Sequence, residues 1–304
     1  MNHADPDQHE QITTGILCRI GMGICFSTMG AMLKLASTKG LNAPELVFYR
    51  SLFSLPVVLF WVLKRESLAM LRPNNPLAHV WRSGLGLLSM GLTFQALILL
   101  PLAEATAINF TAPIFATILS FLVLREFVGV HRWGAVVIGF IGILIVARPG
   151  GSSLPVLGVV IGLLAALGQA GVTTTLRQIQ RSENISAIVF WFAVAGVVVG
   201  GLFMPVFGRW HSAEAMLFVL IGGIAGGSGQ LFMTASLRAP VSAVAPFDYL
   251  QIIGATIYGW LLFSDVPSQH TIAGAGLITA SGLYIAWREH QRRIRKAAAT
   301  VPAV

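Results

Sequence analysis

The stretch ATIYGWLLFSDVPSQH, Ala255 to His270, repeats with changes one that the chain has already used, ATILSFLVLREFVGVH, Ala116 to His131. Both open on Ala-Thr-Ile, run through apolar residues, place an acid at the same position (Glu126, Asp265) and close on His (His131, His270), at a constant offset of 139 residues. The same offset matches Ala96 with Ala235, Pro101 with Pro240 and Asn109 with Asp248, so the likeness reaches back through the preceding segment. A likeness at fixed offset marks a repeated structural unit.

Composition sets the solvent in which that unit sits. With 55% hydrophobic residues, 11% charged residues and a mean hydropathy of +0.77 over 304 residues, the chain has too little polar surface for a soluble globule, which carries about 25% charged residues. Ten apolar stretches, near 14–37, 43–63, 77–100, 102–124, 131–148, 154–177, 184–206, 213–236, 240–263 and 269–287, are each close to the roughly 20 residues that a helix needs to cross the hydrocarbon. The expected fold class is an all-α membrane protein of ten transmembrane helices. The join at Leu100-Pro101-Leu102 is very tight. The start MNHADPDQHEQ is acidic and no small-residue cleavage site follows, so the first apolar stretch reads as a helix and not as a removed signal. Cys18 and Cys25 lie inside that stretch and read as small apolar fillers.

Basic residues set the orientation. With both termini cytoplasmic, the inner loops hold Lys64, Arg65, Arg72, Arg125, Arg132, Arg177, Arg181 and Arg238, and the inner tail holds Arg288, Arg292, Arg293, Arg295 and Lys296. The outer loops keep only Lys39, Arg148 and Arg209, as the positive-inside rule requires. The net charge of +8 therefore points to topology and anionic lipid headgroups, with no nucleic-acid partner. An offset of 139 residues covers five helices, and an odd number makes the second copy enter the membrane from the opposite side. Arg125 and Arg132 flank the inner turn of the first copy, while Ser264 and Thr271 replace them in the outer turn of the second. The expected organisation is a tail at 1–13, a five-helix repeat at 14–148, an inverted repeat at 154–287 and a basic tail at 288–304, with a cavity between the repeats. Inverted repeats are the structural basis of alternating access.

The segments FQALILLPLAEATAINFTAPIFATILSFLVLRE and FMTASLRAPVSAVAPFDYLQIIGATIYGWLLFSD, each followed by a Gly-rich helix, WGAVVIGFIGILIVARP or TIAGAGLITASGLYIAWRE, resemble the paired EamA-type modules of the drug/metabolite transporter superfamily. The resemblance covers nearly the whole chain. It implies an inner-membrane carrier of small metabolites with ten helices around a central cavity, and it leaves the substrate open among amino acids, S-adenosylmethionine, riboflavin and similar molecules.

Small and polar residues at spacings of three and four mark helices that face water. Six stretches show them: the first (Gly23, Ser27, Gly30, Lys34), third (Gly84, Gly91, Gln95), fourth (Ala105, Asn109, Ala112, Ala116, Ser120), sixth (Gly162, Ala166, Gln169, Thr173, Arg177), eighth (Gly223, Gly226, Gln230, Met233) and ninth (Asp248, Gln251, Ala255, Gly259). Ser27, Gln95, Asn109, Gln169, Gln230, Asp248, Tyr249 and Gln251 are the candidate substrate contacts, the amides being equally suited to joining helices. Asp248 is the sharpest of them, because an acid within a membrane helix is a functional candidate by default. It either couples transport to protons or binds the cationic part of a substrate. Pro246 beside it and Pro113 beside Asn109 are candidate helix bends. Arg50, deep in the second stretch, needs an anion, and Glu104 and Glu45 are the candidates. Glu126 and Asp265 suit helix capping, and the run GGIAGGSGQ, residues 222–230, suits close helix packing. Phe26, Phe94, Phe110, Phe247 and Tyr249 offer rings for stacking or for core. No metal or cofactor site and no enzymatic cluster is present in the pattern. The expected function is secondary transport of a small polar or zwitterionic metabolite across a bacterial inner membrane. An uncoupled channel or scramblase, or a membrane-embedded enzyme, is the alternative.

Overall fold

The computed structural model describes residues 6–65, 67–122, 125, 129–147, 154–179, 182–236 and 244–299. Glu126, Arg148, Arg181, Arg238 and Pro240, singled out above, lie outside them. The described residues form helices α1 (Pro6–Thr38), α2 (Ala43–Arg65), α3 (Pro76–Leu99), α4 (Leu102–Asn109), α5 (Ala112–Leu122), α6 (Val130–Ala147), α7 (Val156–Ile179), α8 (Ile185–Phe207), α9 (Ala213–Ala235), α10 (Leu250–Phe263) and α11 (Gln269–Ala299). Short 3-10 turns occur at Leu68–Leu71 and Ala245–Tyr249, and no strand is found among the described residues. Eight segments are long and apolar enough to cross a membrane, with α4 and α5 counted together as Leu102–Leu119. The ninth span is the Ala245–Tyr249 turn continued by α10, and the tenth is α11, which carries its basic residues at its far end. The chain is thus an all-α protein of ten membrane helices. The first helix begins at Pro6 and so takes in part of the segment read as a tail.

The fourth stretch, expected as one helix over 102–124, is broken at Phe110–Thr111. Thr111 turns its hydroxyl back onto the carbonyl of Ile108 (2.7 Å), and Pro113 has no N–H to give the carbonyl four residues earlier. The ninth span breaks at the matching place: its 3-10 turn, with Pro246 in the first turn, ends at Tyr249 before α10 resumes. The same parallel holds where these helices end. Arg125 (φ 50°) and Ser264 (φ 56°), 139 residues apart, are the non-glycine residues with positive φ among those described. Left-handed backbone costs a non-glycine residue about 1 kcal/mol, and at Ser264 it caps the last turn of α10.

Packing follows the repeat as well. Under the 139-residue shift α1 maps to α7, α2 to α8, α3 to α9 and α6 to α11. α1 packs along α9, and its counterpart α7 packs along α3; α2 packs on α8 and α6 on α11, each against its own counterpart. α6 and α11 cross at bare backbone, since a Cβ on Gly142 would meet the Gly274 carbonyl at 2.9 Å and one on Gly274 would meet the Gly142 carbonyl at 2.6 Å. Small residues at such a crossing let dispersion forces hold helices that lipid would otherwise separate equally well.

Two buried glutamates tie loops across the halves. Glu45, in the first turn of α2, accepts from the backbone N–H groups of Arg209 (2.8 Å) and Asn42 (3.0 Å) and lies 2.7 Å from His211 Nε2. Glu183, just ahead of α8, accepts from the N–H groups of Asn74 (3.1 Å) and Asn75 (2.5 Å) and lies 3.2 Å from His79 Nε2. Each glutamate stands at the start of its half's second helix and holds the connection between the second and third helices of the other half.

Candidate functional site

A cavity of about 90 Å³ opens between α1, α3, α4, α7 and α10. Ser27, Asn109 and Gln251, chosen above as substrate contacts, are brought to its wall, along with Thr93, Phe26 and Phe94. The Ser27 hydroxyl donates to the Gly23 carbonyl (2.8 Å) and also reaches the Gln251 carbonyl (3.2 Å), which ties the start of α10 to α1. The Asn109 amide donates to the Thr93 hydroxyl (3.3 Å). The described wall carries hydroxyls, amides and rings but no formal charge. It can hydrogen-bond and stack; among the described residues no group of His, Cys, Asp and Glu is placed to hold a metal ion.

The remaining candidates lie elsewhere. Gln95 and Gln169 are half-buried on α3 and α7 and are not in this wall, and Gln230 lines a separate, smaller cavity with Arg82. The eighth stretch, expected to face the central cavity, contributes no residue to its described wall. Its glycines are spent on packing, with a Cβ on Gly222 meeting Leu33 at 2.9 Å and one on Gly229 meeting Phe26 at 2.7 Å. A stripe of small residues serves a helix contact as well as a water face, and here the contact has it.

Asp248 stands in the 3-10 turn leading into α10, and its Oδ1 is 2.9 Å from Arg19 Nε of α1. The carboxylate is therefore paired by another helix. Next to it, the Tyr249 ring lies 5.1 Å from that of Phe110, its counterpart in the first repeat. This ring contact brings the two helix breaks together. Pro113 and Pro246 sit in the first turns after and within these breaks.

Arg50 and Glu104 are not brought together, and Glu45 does not reach Arg50 either. Glu104 accepts from the Thr271 hydroxyl (3.0 Å), Glu45 serves His211, and Arg50 makes a long contact to the Gly226 carbonyl (3.4 Å). The Arg50 and Arg82 guanidiniums instead lie against the Phe192 ring, 6.0 and 4.0 Å from its centroid. A cation over a ring gains about 0.5–2 kcal/mol, which does not offset the roughly 3 kcal/mol that an arginine costs at membrane depth. Two contacts escaped the sequence pattern. Arg19 is a charge inside the first apolar stretch and was open to the same reasoning as Asp248. Lys34 donates to the Leu97 (2.9 Å) and Leu100 (2.5 Å) carbonyls, satisfying acceptors left open where α3 ends, beside the cavity wall at Leu97 and Leu102.

A family model described as the EamA-like transporter family matches residues 13–148. The riboflavin transporter of Rhizobium johnstonii is 30% identical over 296 residues, which cover 93% of this chain and 94% of the relative. The chain belongs to the EamA-like transporter family. Within that family it is also 29% identical over 272 residues to the pseudopaline exporter CntI of Pseudomonas aeruginosa (89% of this chain, 95% of the relative). The S-adenosylmethionine uptake transporter of Rickettsia felis is 28% identical over 279 residues (89% and 91%). A crystal structure superposes with a TM-score of 0.65 at 20% identity, covering 92% of this chain and 98% of the other, and shows the same fold. This EamA-like chain is a multi-pass membrane transporter of a small metabolite, not an enzyme.

Proposed function

We propose that the chain is a secondary carrier for a small polar or zwitterionic organic metabolite, in a bacterial inner membrane with both termini cytoplasmic. The observation that carries this reading is the central cavity, walled by repeat-related helices and lined by Ser27, Thr93, Asn109 and Gln251 between Phe26 and Phe94. Hydroxyls and amides beside rings suit a flat, hydrogen-bonding molecule of the flavin, nucleoside or amino-acid kind. Relatives named for riboflavin and S-adenosylmethionine support the same class. The two five-helix repeats, 14–148 and 154–287, are inverted with respect to the membrane, and exchange of their conformations exposes the cavity to each side in turn. Pro113 and Pro246 keep the facing helix breaks open for that exchange. Asp248 is the coupling residue: a proton or a substrate cation competes with Arg19 for its carboxylate, and release of Arg19 frees α1 from the ninth span.

Thermal unfolding of the purified carrier against amino acids, nucleosides, S-adenosylmethionine and riboflavin tests the reading. A ligand at 100 times its dissociation constant stabilises by about 2.7 kcal/mol, and the shift should shrink in Asn109→Ala and Gln251→Ala. A shift of full size in both variants would move the site away from this cavity.

A further inference from the structure

α1 passes the central cavity and is fastened by a cation on either side of it. Its middle gives Phe26, Ser27, Met29 and Gly30 to the wall. Arg19, ahead of that face, is paired with Asp248. Lys34, one turn after Gly30, is 9% exposed and reaches the end of α3. The two cations stand roughly 22 Å apart along the helix axis.

The Lys34 contact originates in the tight join between α3 and α4. Pro101 has no N–H, so the Leu97 carbonyl four residues earlier receives no helical donor. Lys34 Nζ supplies one (2.9 Å) and donates to the Leu100 carbonyl as well (2.5 Å). A cation at the negative end of α3 also gains from the helix dipole. The same ammonium lies over the ring of Phe263, the last residue of α10, 5.6 Å from its centroid, and the Glu104 and Asp265 carboxylates attract it. One side chain thus gathers α1, α3 and α10, three walls of the cavity, at the end lined by Leu97 and Leu102. The other half has no such device. The 139-residue shift puts Thr173 in the place of Lys34, and its hydroxyl donates within α7, to the Gln169 carbonyl (2.9 Å). The repeat therefore builds this helix without a cation, which is expensive at membrane depth.

We infer that Lys34 is the latch of one mouth of the central cavity, on the membrane face where α1 ends, and that its release from the Leu97 and Leu100 carbonyls parts α1 from α3 and α10 to open that mouth. The inference rests on the carrier reading, in which that face is the outer one. Lys34 is a positioning residue: it acts through the walls that it holds.

Side-specific labelling tests the latch. Ala105→Cys, in the cavity wall, is placed in the full-length carrier together with Cys18→Ala and Cys25→Ala. Its reaction with a membrane-impermeant methanethiosulfonate is timed from outside in right-side-out vesicles and from inside in inverted ones. Lys34→Met should speed outer labelling about 10–100-fold, as loss of charged hydrogen bonds implies, and leave inner labelling no faster. Lys34→Arg, whose guanidinium still donates to carbonyls, should stay near the parent rate. Lys34→Gln keeps donors without the charge; it should fall between the two, and it supplies the same comparison if Lys34→Met does not assemble. An unchanged outer rate would overturn the latch, and so would an equal rise on both faces, the mark of general loosening. Labelling needs no substrate, so its failure leaves the carrier reading to be judged by transport.

Discussion

The two broken helices are copies of one unit, and they differ in what holds them. At the first break, Asn109 is neutral and gives one hydrogen bond to Thr93 of α3 (3.3 Å). At the second, Asp248 carries a charge and is paired with Arg19 of α1 (2.9 Å). The difference teaches that the repeat duplicated the backbone event and not the chemistry. The Pro-containing break is common to both halves, but only the second is fastened by a bond that a proton or a cation can undo.

The largest effect should come from separating the charges. Asp248→Ala leaves Arg19 unpaired, and removing one member of a buried ion pair costs about 3 kcal/mol; Asn109→Ala removes an interhelical hydrogen bond worth about 0.6 kcal/mol. Thermal unfolding of the two variants measures the contrast, and equal losses would erase it. Asp248→Asn makes the second break resemble the first. In the coupled reading it abolishes proton-driven accumulation and spares exchange.

The loop ties allow a second contrast, one governed by pH. Burial of Glu183 alone would raise its pKa, but the N–H groups of Asn74 and Asn75 and the His79 ring outweigh burial and hold it below the ordinary 4.5. A carboxylate with a depressed folded pKa gives stability that is present above its unfolded value and is lost as pH falls through the folded one. Protection of the amides at residues 73–79 from hydrogen exchange, taken relative to the intrinsic rate at each pH, should therefore hold at neutral pH and fall only when the medium is more acidic than about 4.5. Glu183→Gln should loosen the same segment at neutral pH by about 2 kcal/mol. Protection that is lost steadily from pH 7 downward would assign the transition to another group.

The smallest effects belong to the prolines. Pro113 lies in the first turn of α5, where a helix leaves N–H groups unsatisfied in any case, so Pro113→Ala should leave stability within about 1 kcal/mol of wild type. Pro246 shapes the turn that presents Asp248 to Arg19, and Pro246→Ala should slow turnover more than Pro113→Ala does. The reverse order in a transport assay would place the working hinge in the first half.

Much of this fold was legible in the chain. Hydropathy located the spans to within a few residues, and the 139-residue offset foretold that α1 and α7, and α4 and α10, would both line the cavity, but not that α9 would depart from α3. The break after Asn109 was only hinted at by Pro113, because a proline in a membrane helix bends it or interrupts it according to what neighbouring side chains do, and here Thr111 completes the interruption. In the site, Ser27, Asn109 and Gln251 reached the cavity because polar residues on a buried face have few other places to go. Gln230 did not, since the glycines around it fasten α9 to α1 and α2 and turn that face away. The Arg19–Asp248 pair was illegible as a pair: its members belong to different halves, and no local spacing relates them. The ties made by Glu45 and Glu183 stayed hidden because their histidine partners do not obey the repeat offset.

Counterflow tests the central claim most directly. Proteoliposomes loaded with an unlabelled ligand from the thermal screen are diluted into a trace of the labelled one, and label inside the vesicles is followed over time. A carrier whose cavity faces one side at a time predicts saturable uptake and a transient overshoot driven by the outward gradient, with the overshoot retained in Asp248→Asn and lost in Asn109→Ala combined with Gln251→Ala. Entry that grows in proportion to concentration, with no overshoot, would contradict the account and make the protein a pore.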